Sequence, residues 1–205
     1  MNPDSLLSES FYLNDDVLTI ARDLIGKKLC TEDTDGNVVS GMITETEAYK
    51  APEDKASHAH NFKRTKRTET MYLPGGHAYV YLIYGIHHLF NVVTGPKDLP
   101  HAVLIRAVEP VSGEEIMLKR RNQKKITPKL SAGPGRLSDA MAIDMKLNRQ
   151  NLRENSKGNP LVWIEHFKDF SDVEIESSPR VGINYAEEYV NKPWRYFLKD
   201  SEFVS

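Results

Sequence analysis

Two acids and a tyrosine occupy alternate positions in one short run, TETEAY: Glu45, Glu47 and Tyr49. Alternate side chains of an extended strand share a face. The run therefore predicts two carboxylates and an aromatic ring along one pocket wall. Carboxylates in such a place are paired or functional, because an unpaired buried charge is costly; a solvated strand edge is the plain alternative. Further on, YVYLIYG places Tyr81 and Tyr84 just before Gly85. The alternation and the glycine predict a β-hairpin whose turn is Tyr84-Gly85. A large aromatic at a hairpin tip has the shape of a wedge for stacked bases, although an ordinary half-exposed tyrosine has the same signature. Arg106 is a lone charge in the apolar run AVLIRAV. It calls for a carboxylate partner or a place at the strand end.

These residues need elements to hold them. Asn14-Asp15-Asp16 offers a helix N-cap, Val17, Ala21, Leu24 and Ile25 follow at helical spacing, and Gly26 is a natural stop. Lys28 to Thr31 reads as a strand, Asp35-Gly36 as a hairpin turn, and Val38 to Tyr49 as a long strand. Asn61 to Thr70 is polar and basic and reads as a surface loop. The hairpin follows, with Asn91 in its return strand, and then a strand from His101 to Val108. Ser112-Gly113-Glu114-Glu115 has the form of a capping box, and Gly133-Pro134-Gly135 feeds a second short helix. Asn148 to Pro160 is polar. Leu161 to Glu165, Val173 to Ile175 and Trp194 to Leu198 read as short strands. Strands outnumber helices and follow one another, which predicts one α+β domain spanning 1–205 with mainly antiparallel pairing.

The chain has 205 residues, 40% hydrophobic and 27% charged, with one cysteine. That length supports a substantial core. A single Cys30 excludes an internal disulfide and the His/Cys/Cys zinc site of base deaminases. The absence of a ~20-residue apolar run argues against a membrane helix, and the start MNPDSLLSES lacks a secretory pattern, so the cytoplasm is the expected compartment. The net charge of -2 argues against a uniformly basic nucleic-acid binder, but the charge is segregated. Residues 116–138 hold seven basic side chains and no acid, and Lys63, Arg64, Lys66 and Arg67 form a second cluster. Segregation of this kind suits a polyanion on one face, and a solvated helix flank gives the same pattern. His58 with His60, or His87 with His88, lacks a cysteine and helical i, i+4 spacing, so no metal is expected. A non-catalytic nucleic-acid-binding module accounts for the basic and aromatic residues but not for Glu47 beside Tyr49.

ETEAY, PED, His58, PGGHAYVYLIYG, Asn91, LIRAVEP, SAGPGRL and RVGI, in that order, resemble the alkyladenine (3-methyladenine) DNA glycosylase family from about Asp15 to Ser205. The resemblance implies a curved, open-barrel-like antiparallel sheet, flanking helices and a hairpin that enters DNA. It implies a monofunctional base-excision-repair enzyme. Such an enzyme flips out alkylated or deaminated purines (3-methyladenine, 7-methylguanine, hypoxanthine), hydrolyses the N-glycosidic bond and leaves an abasic site. Glu47 corresponds to the general base. Tyr49, His58 and Tyr81 correspond to the residues around the flipped base, and Asn91 to the one that excludes the guanine amino group. Tyr84 corresponds to the wedge. Arg106, with the backbone carbonyl of Val181, corresponds to the groups that hold the water. Water, rather than nearby Lys50 or Lys55, is the implied nucleophile, with no cofactor. The implied partner is double-stranded DNA carrying damaged purines, bound by a monomer associated with the nucleoid. The basic clusters offer Arg64, Arg67, Lys119, Arg120 and Arg136 as candidates for backbone contact. The sequence departs from the family pattern at Arg67-Thr68, where Arg-Asn is frequent, and in a longer loop after Asn91.

Overall fold

The computed structural model describes residues 5–153 and 161–205. Residues 154–160 of the predicted polar loop lie outside them. The elements run α1 Glu9–Leu13, α2 Val17–Asp23, β1 Lys28–Glu32, β2 Val38–Tyr49, β3 Ala78–Ile83, β4 His87–Thr94, β5 His101–Ser112, α3 Glu114–Arg120, α4 Pro134–Ala140, β6 Leu161–Glu165, β7 Ile175–Ser178 and β8 Arg195–Leu198. The strands form an open eight-stranded antiparallel sheet, ordered β3-β4-β5-β2-β1-β6, with β8 joining β2 to β7. The architecture is α+β, as the run of strands predicts.

β2 organises the sheet. One edge pairs with β5. The other edge is shared, with β1 along Val38–Met42 and β8 along Glu45–Glu47. Backbone pairing on both sides holds Glu47 at a defined place. Alternation then sorts the faces. Ala78, Val80, Phe90, Val92, Val103 and Ile105 point into the main core with α2, α3 and α4. Tyr79, Val93 and Ala102 point the other way, into a smaller cluster with Met71 and Tyr72. Phe90 and Ile105 are fully buried, and each contributes about 1.5–3 kcal/mol by leaving water. Asp16 caps α2 by accepting from Leu18 N–H. The Thr46 hydroxyl ties β2 to α2 by donating to the Ala21 carbonyl at 2.7 Å.

Four expectations change. A short helix, α1, capped by Ser8, precedes the one read from Asn14 onward. Ser112 does not cap α3: it ends β5 and bonds the Ser40 hydroxyl at 2.8 Å, while Gly113 in the left-handed region stands at the helix start without a side-chain cap. The strand read at Val173 to Ile175 begins at Ile175 and runs to Ser178, where it pairs with β8. In the basic loop, Thr68 is 2% exposed. Its hydroxyl donates to the Lys63 carbonyl at 2.9 Å and accepts the Thr65 N–H at 2.8 Å. The departure from Arg-Asn therefore puts a loop-tying residue in the interior.

Candidate active site

Pairing register assembles the site. Tyr79 is opposite Asn91, Asn91 opposite Leu104, and Leu104 opposite Glu47. Directly opposed residues share a face, so this row lies along one surface of the sheet. A cavity of 340 Å³ opens over it, lined by Glu47, Tyr49, His58, Tyr81, Asn91 and Arg106 among others. That volume suits a single small planar group. Every pocket residue singled out in the sequence thus lines one space.

Glu47 is fully buried. Its Oε2 accepts the Tyr49 hydroxyl at 2.9 Å, and its Oε1 accepts the Val181 backbone N–H at 2.7 Å. Arg106 Nη1 stands 3.2 Å from the same Oε1. Three donors and no acceptor face this group, an arrangement made for a carboxylate. The Val181 group that meets Glu47 is its N–H, a bond separate from the water-holding role that the resemblance implies for the Val181 carbonyl. Burial, reinforced by Glu47, holds the Tyr49 phenol well above its usual range, so it stays a neutral donor.

Glu45 lies two residues away but does not line the cavity. Register shifts flank it, and the irregularity turns both Thr44 and Glu45 toward the segment near Ser205. Thr44 Oγ1 donates to the Phe203 carbonyl, and Glu45 takes the Ser205 N–H and hydroxyl. The expectation of two carboxylates on the pocket wall reduces to one.

On the opposite wall, His58 Nδ1 bonds the Tyr79 hydroxyl at 2.9 Å, and its ring meets Tyr81 edge-on at 4.7 Å. Burial, with Arg67 and Lys63 adding to it, lowers the His58 imidazole to about 4, so it is neutral at physiological pH. Asn91 Nδ2 donates to the Tyr79 carbonyl at 3.1 Å, which orients the amide at the cavity wall. Tyr84 is at the hairpin tip, 87% exposed, with Ile86 and Leu82 also exposed beside it. Tyr84 and Gly85 both have positive φ, 53° and 74°, and Ile86 N–H bonds the Ile83 carbonyl. That is the primed turn a tight hairpin requires, and it obliges a tyrosine to adopt a left-handed backbone.

Sequence reasoning missed the clamp behind the pocket. Arg180 and Asp54 are fully buried and meet through two bonds, at 2.6 and 2.8 Å. Arg180 also donates to the Ala48 carbonyl and lies over the rings of Tyr49 and Trp194. It thus fixes the residue preceding Val181 against the loop that leads to His58. PED and RVGI carried the signal, but nothing in either block names the other as its partner.

The basic candidates divide. Lys119 and Arg136 are exposed. Arg67 lies over the Tyr81 ring at the cavity. Arg120 is tied to Asp33 and the Ala140 carbonyl, and Arg64 to Glu69 and Asp98. Of the histidines considered for metal, His58 and His60 bind protein oxygens, His58 as above and His60 Nδ1 to the Pro52 carbonyl. Among the described residues no group of three or more His, Cys, Asp or Glu is placed to hold a metal ion, and no helix is long and apolar enough to cross a membrane.

Comparison with known proteins supplies the class. Residues 10–202 match the family described as methylpurine-DNA glycosylase. The match makes the chain a DNA glycosylase, a hydrolase whose partner is DNA. A relative from Chlamydia pneumoniae, provisionally named a 3-methyladenine DNA glycosylase, is 46% identical over 198 residues, 96% of this chain and 97% of the relative. Relatives with the same provisional name come from Natranaerobius thermophilus, 46% identical over 95% of this chain and 96% of the relative, and Bacillus cereus strain G9842, 47% identical over 96% and 97%. The chain belongs to the methylpurine-DNA glycosylase family.

Proposed function

We propose that this DNA glycosylase excises alkylated and deaminated purines (3-methyladenine, 7-methylguanine and hypoxanthine) from double-stranded DNA, using a water molecule activated by Glu47. Extruding a base from the stack costs a few kcal/mol. Tyr84 fills the gap from the tip of the hairpin, and the everted ring enters the cavity between Tyr49 and His58, with Tyr81 at its edge. A methylated purine is cationic and electron-poor, which favours stacking on tyrosine. Asn91 stands where the N2 amino group of guanine would go.

As the base departs, positive charge builds at the sugar. The Glu47 carboxylate stabilises that charge and takes a proton from the attacking water. Arg106 and the backbone carbonyl of Val181 hold the water beside it. A cationic base leaves without protonation, so one carboxylate suffices, and neutral hypoxanthine takes the proton it needs from water. The product is an abasic site, released by a monofunctional enzyme that acts as a monomer on the nucleoid. Neither Lys50 nor Lys55 lines the cavity, and Lys55 is engaged by Glu187 and Glu188, which favours water over an amine nucleophile. Arg67, Arg136 and Lys119 supply contacts to the phosphates, with Arg64 and Arg120 behind them.

One observation carries the reading: a fully buried carboxylate offered to a cavity whose rim bears an exposed aromatic tip. The experiment is base release from duplex DNA over a panel of lesions. Wild-type protein releases alkylated purines and forms no adduct on borohydride treatment, and Glu47→Gln binds lesion DNA but releases nothing. Binding without release by the wild type assigns a damage-recognition module instead, and a trapped adduct assigns an amine nucleophile.

A further inference from the structure

Glu45 is as buried as Glu47, yet it belongs to a different set of partners. Arg106 Nε donates to its Oε1 at 2.7 Å and Arg195 Nε to the same oxygen at 2.6 Å. Its Oε2 accepts the Ser205 N–H at 2.7 Å and the Ser205 hydroxyl at 2.8 Å. Arg106 therefore has two carboxylate neighbours, and the nearer is Glu45: 2.7 Å against 3.2 Å to Glu47. A further donor of Arg106, Nη2, is taken by Ser205 Oγ at 2.9 Å. Arg195, the β8 residue paired with Glu47, is held by Ser178 Oγ and the Ser205 main-chain oxygen as well as by Glu45. Two guanidiniums face two carboxylates, so the quartet is neutral.

We propose that Glu45 is a positioning residue that draws Arg106 off Glu47, leaving the Glu47 carboxylate able to accept a proton from water. The inference rests on the reading of Glu47 as the base. Without Glu45, Arg106 would close onto Glu47, the other carboxylate it meets among the described residues. A tight buried ion pair would then occupy the lone pairs that the water needs. The register shifts on either side of Glu45 make the arrangement possible, because they let neighbouring positions of one strand serve the Ser205 segment and the cavity separately.

The other groups around Glu47 leave this quartet in control of the local field. Tyr49 on β2 and Tyr81 on β3 are phenols that burial keeps neutral, as it does Tyr185 at the cavity rim. Asp54 and Arg180 are a bonded pair with no net charge. Removing the charge of Glu45 leaves two cations facing Glu47, which favours its ionised form. Removing the charge of Arg195 leaves two anions and one cation, which disfavours it.

The test is the pH profile of single-turnover release of 7-methylguanine, whose base leaves already cationic. Glu45→Gln is expected to slow release about ten- to a hundredfold through misplacement of Arg106. It should also move the acid limb down by about one pH unit. Arg195→Gln moves the limb up, and Glu45→Gln/Arg195→Gln, neutral again, returns it to the wild-type position while release stays slow, because Arg106 still lacks Glu45. A role confined to folding produces no opposed shifts. Singles that move the limb the same way, or not at all, or a double variant that stays displaced, overturn the proposal. Should a single variant fail to fold, the charge-balanced double decides by rate: release slowed about tenfold or more at a wild-type limb supports the proposal, and a wild-type rate or a displaced limb defeats it. Release retained by Glu47→Gln would instead defeat the underlying reading of Glu47.

Discussion

The floor of the cavity and the tip of the β3–β4 hairpin invert the ordinary distribution of side chains in opposite ways. At the floor, Glu47, Arg106 and the Arg180–Asp54 pair are ionic groups kept from water. At the tip, Tyr84, Ile86 and Leu82 are apolar groups kept in it, 87%, 70% and 43% exposed. Charged residues are rarely buried unless paired, and a cluster of large apolar residues in solvent marks a contact surface. The floor is stabilised from within, since each of its charged side chains finds an opposite charge in the chain. The tip stands in solvent. Under the proposed function the difference separates chemistry from recognition: rigidity is built where a water would be aligned, and exposed apolar surface is left where DNA would be entered.

Substitutions test that division, beginning with the largest effect. Glu47→Gln should lower single-turnover base release by about 10³-fold, the scale of a lost general base, with lesion-DNA affinity unchanged in a filter or anisotropy assay. A matching loss of affinity would merge the two regions into one. Asp54→Ala leaves Arg180 buried without its counter-charge, and urea denaturation should show a loss of about 3–5 kcal/mol. Tyr84→Ala should have the reverse profile. Stability stays within about 0.5 kcal/mol, while lesion binding weakens about tenfold or more, the scale of one base–aromatic stack. A destabilised Tyr84→Ala protein would show that the tip serves the fold after all. Asn91→Ser opens the cavity wall, and guanine release should become measurable against hypoxanthine; unchanged discrimination removes Asn91 from the selectivity filter. The smallest effect is on pH dependence. Burial lowers the His58 imidazole to about 4 in the folded chain, from the usual histidine value of about 6.5. The unfolded chain therefore binds the proton more readily, and the stabilising contribution present above 6.5 is lost progressively as pH falls toward 4. His58→Gln should flatten the stability curve in that window.

Much of this was legible before any coordinates. The alternation in Val38–Tyr49 gave a strand with Glu47 and Tyr49 on one side, and Tyr84-Gly85 gave the turn. Local chemistry is enough for both, because strand alternation and left-handed turns are decided within a few residues. Ser112 misled because its spacing to Glu115 satisfies a capping pattern while the strand pairing of β5 claims it first. Glu45 misled because alternation assumes an unbroken register, and the shifts around it are set by pairing with β5. Arg180 gave no local sign of its partner, since Asp54 lies 126 residues away.

The sequence alone determined which residue types were available and how they alternate: one strand with acids at every second position, one hairpin with an aromatic at its turn, and charge gathered in blocks. Tertiary structure decided which of them meet. The row Tyr79, Asn91, Leu104, Glu47 exists only because three strand pairings share one register, and a slip of one residue in any of them would turn its side chains to the opposite face. The division of labour between Glu45 and Glu47 likewise came from Arg195 and Ser205 arriving across the sheet. Steric preferences of the backbone act over a few residues, whereas register and buried ion pairs are settled by long-range closure of the chain, and that is where the acid of the cavity was separated from the acid of the scaffold.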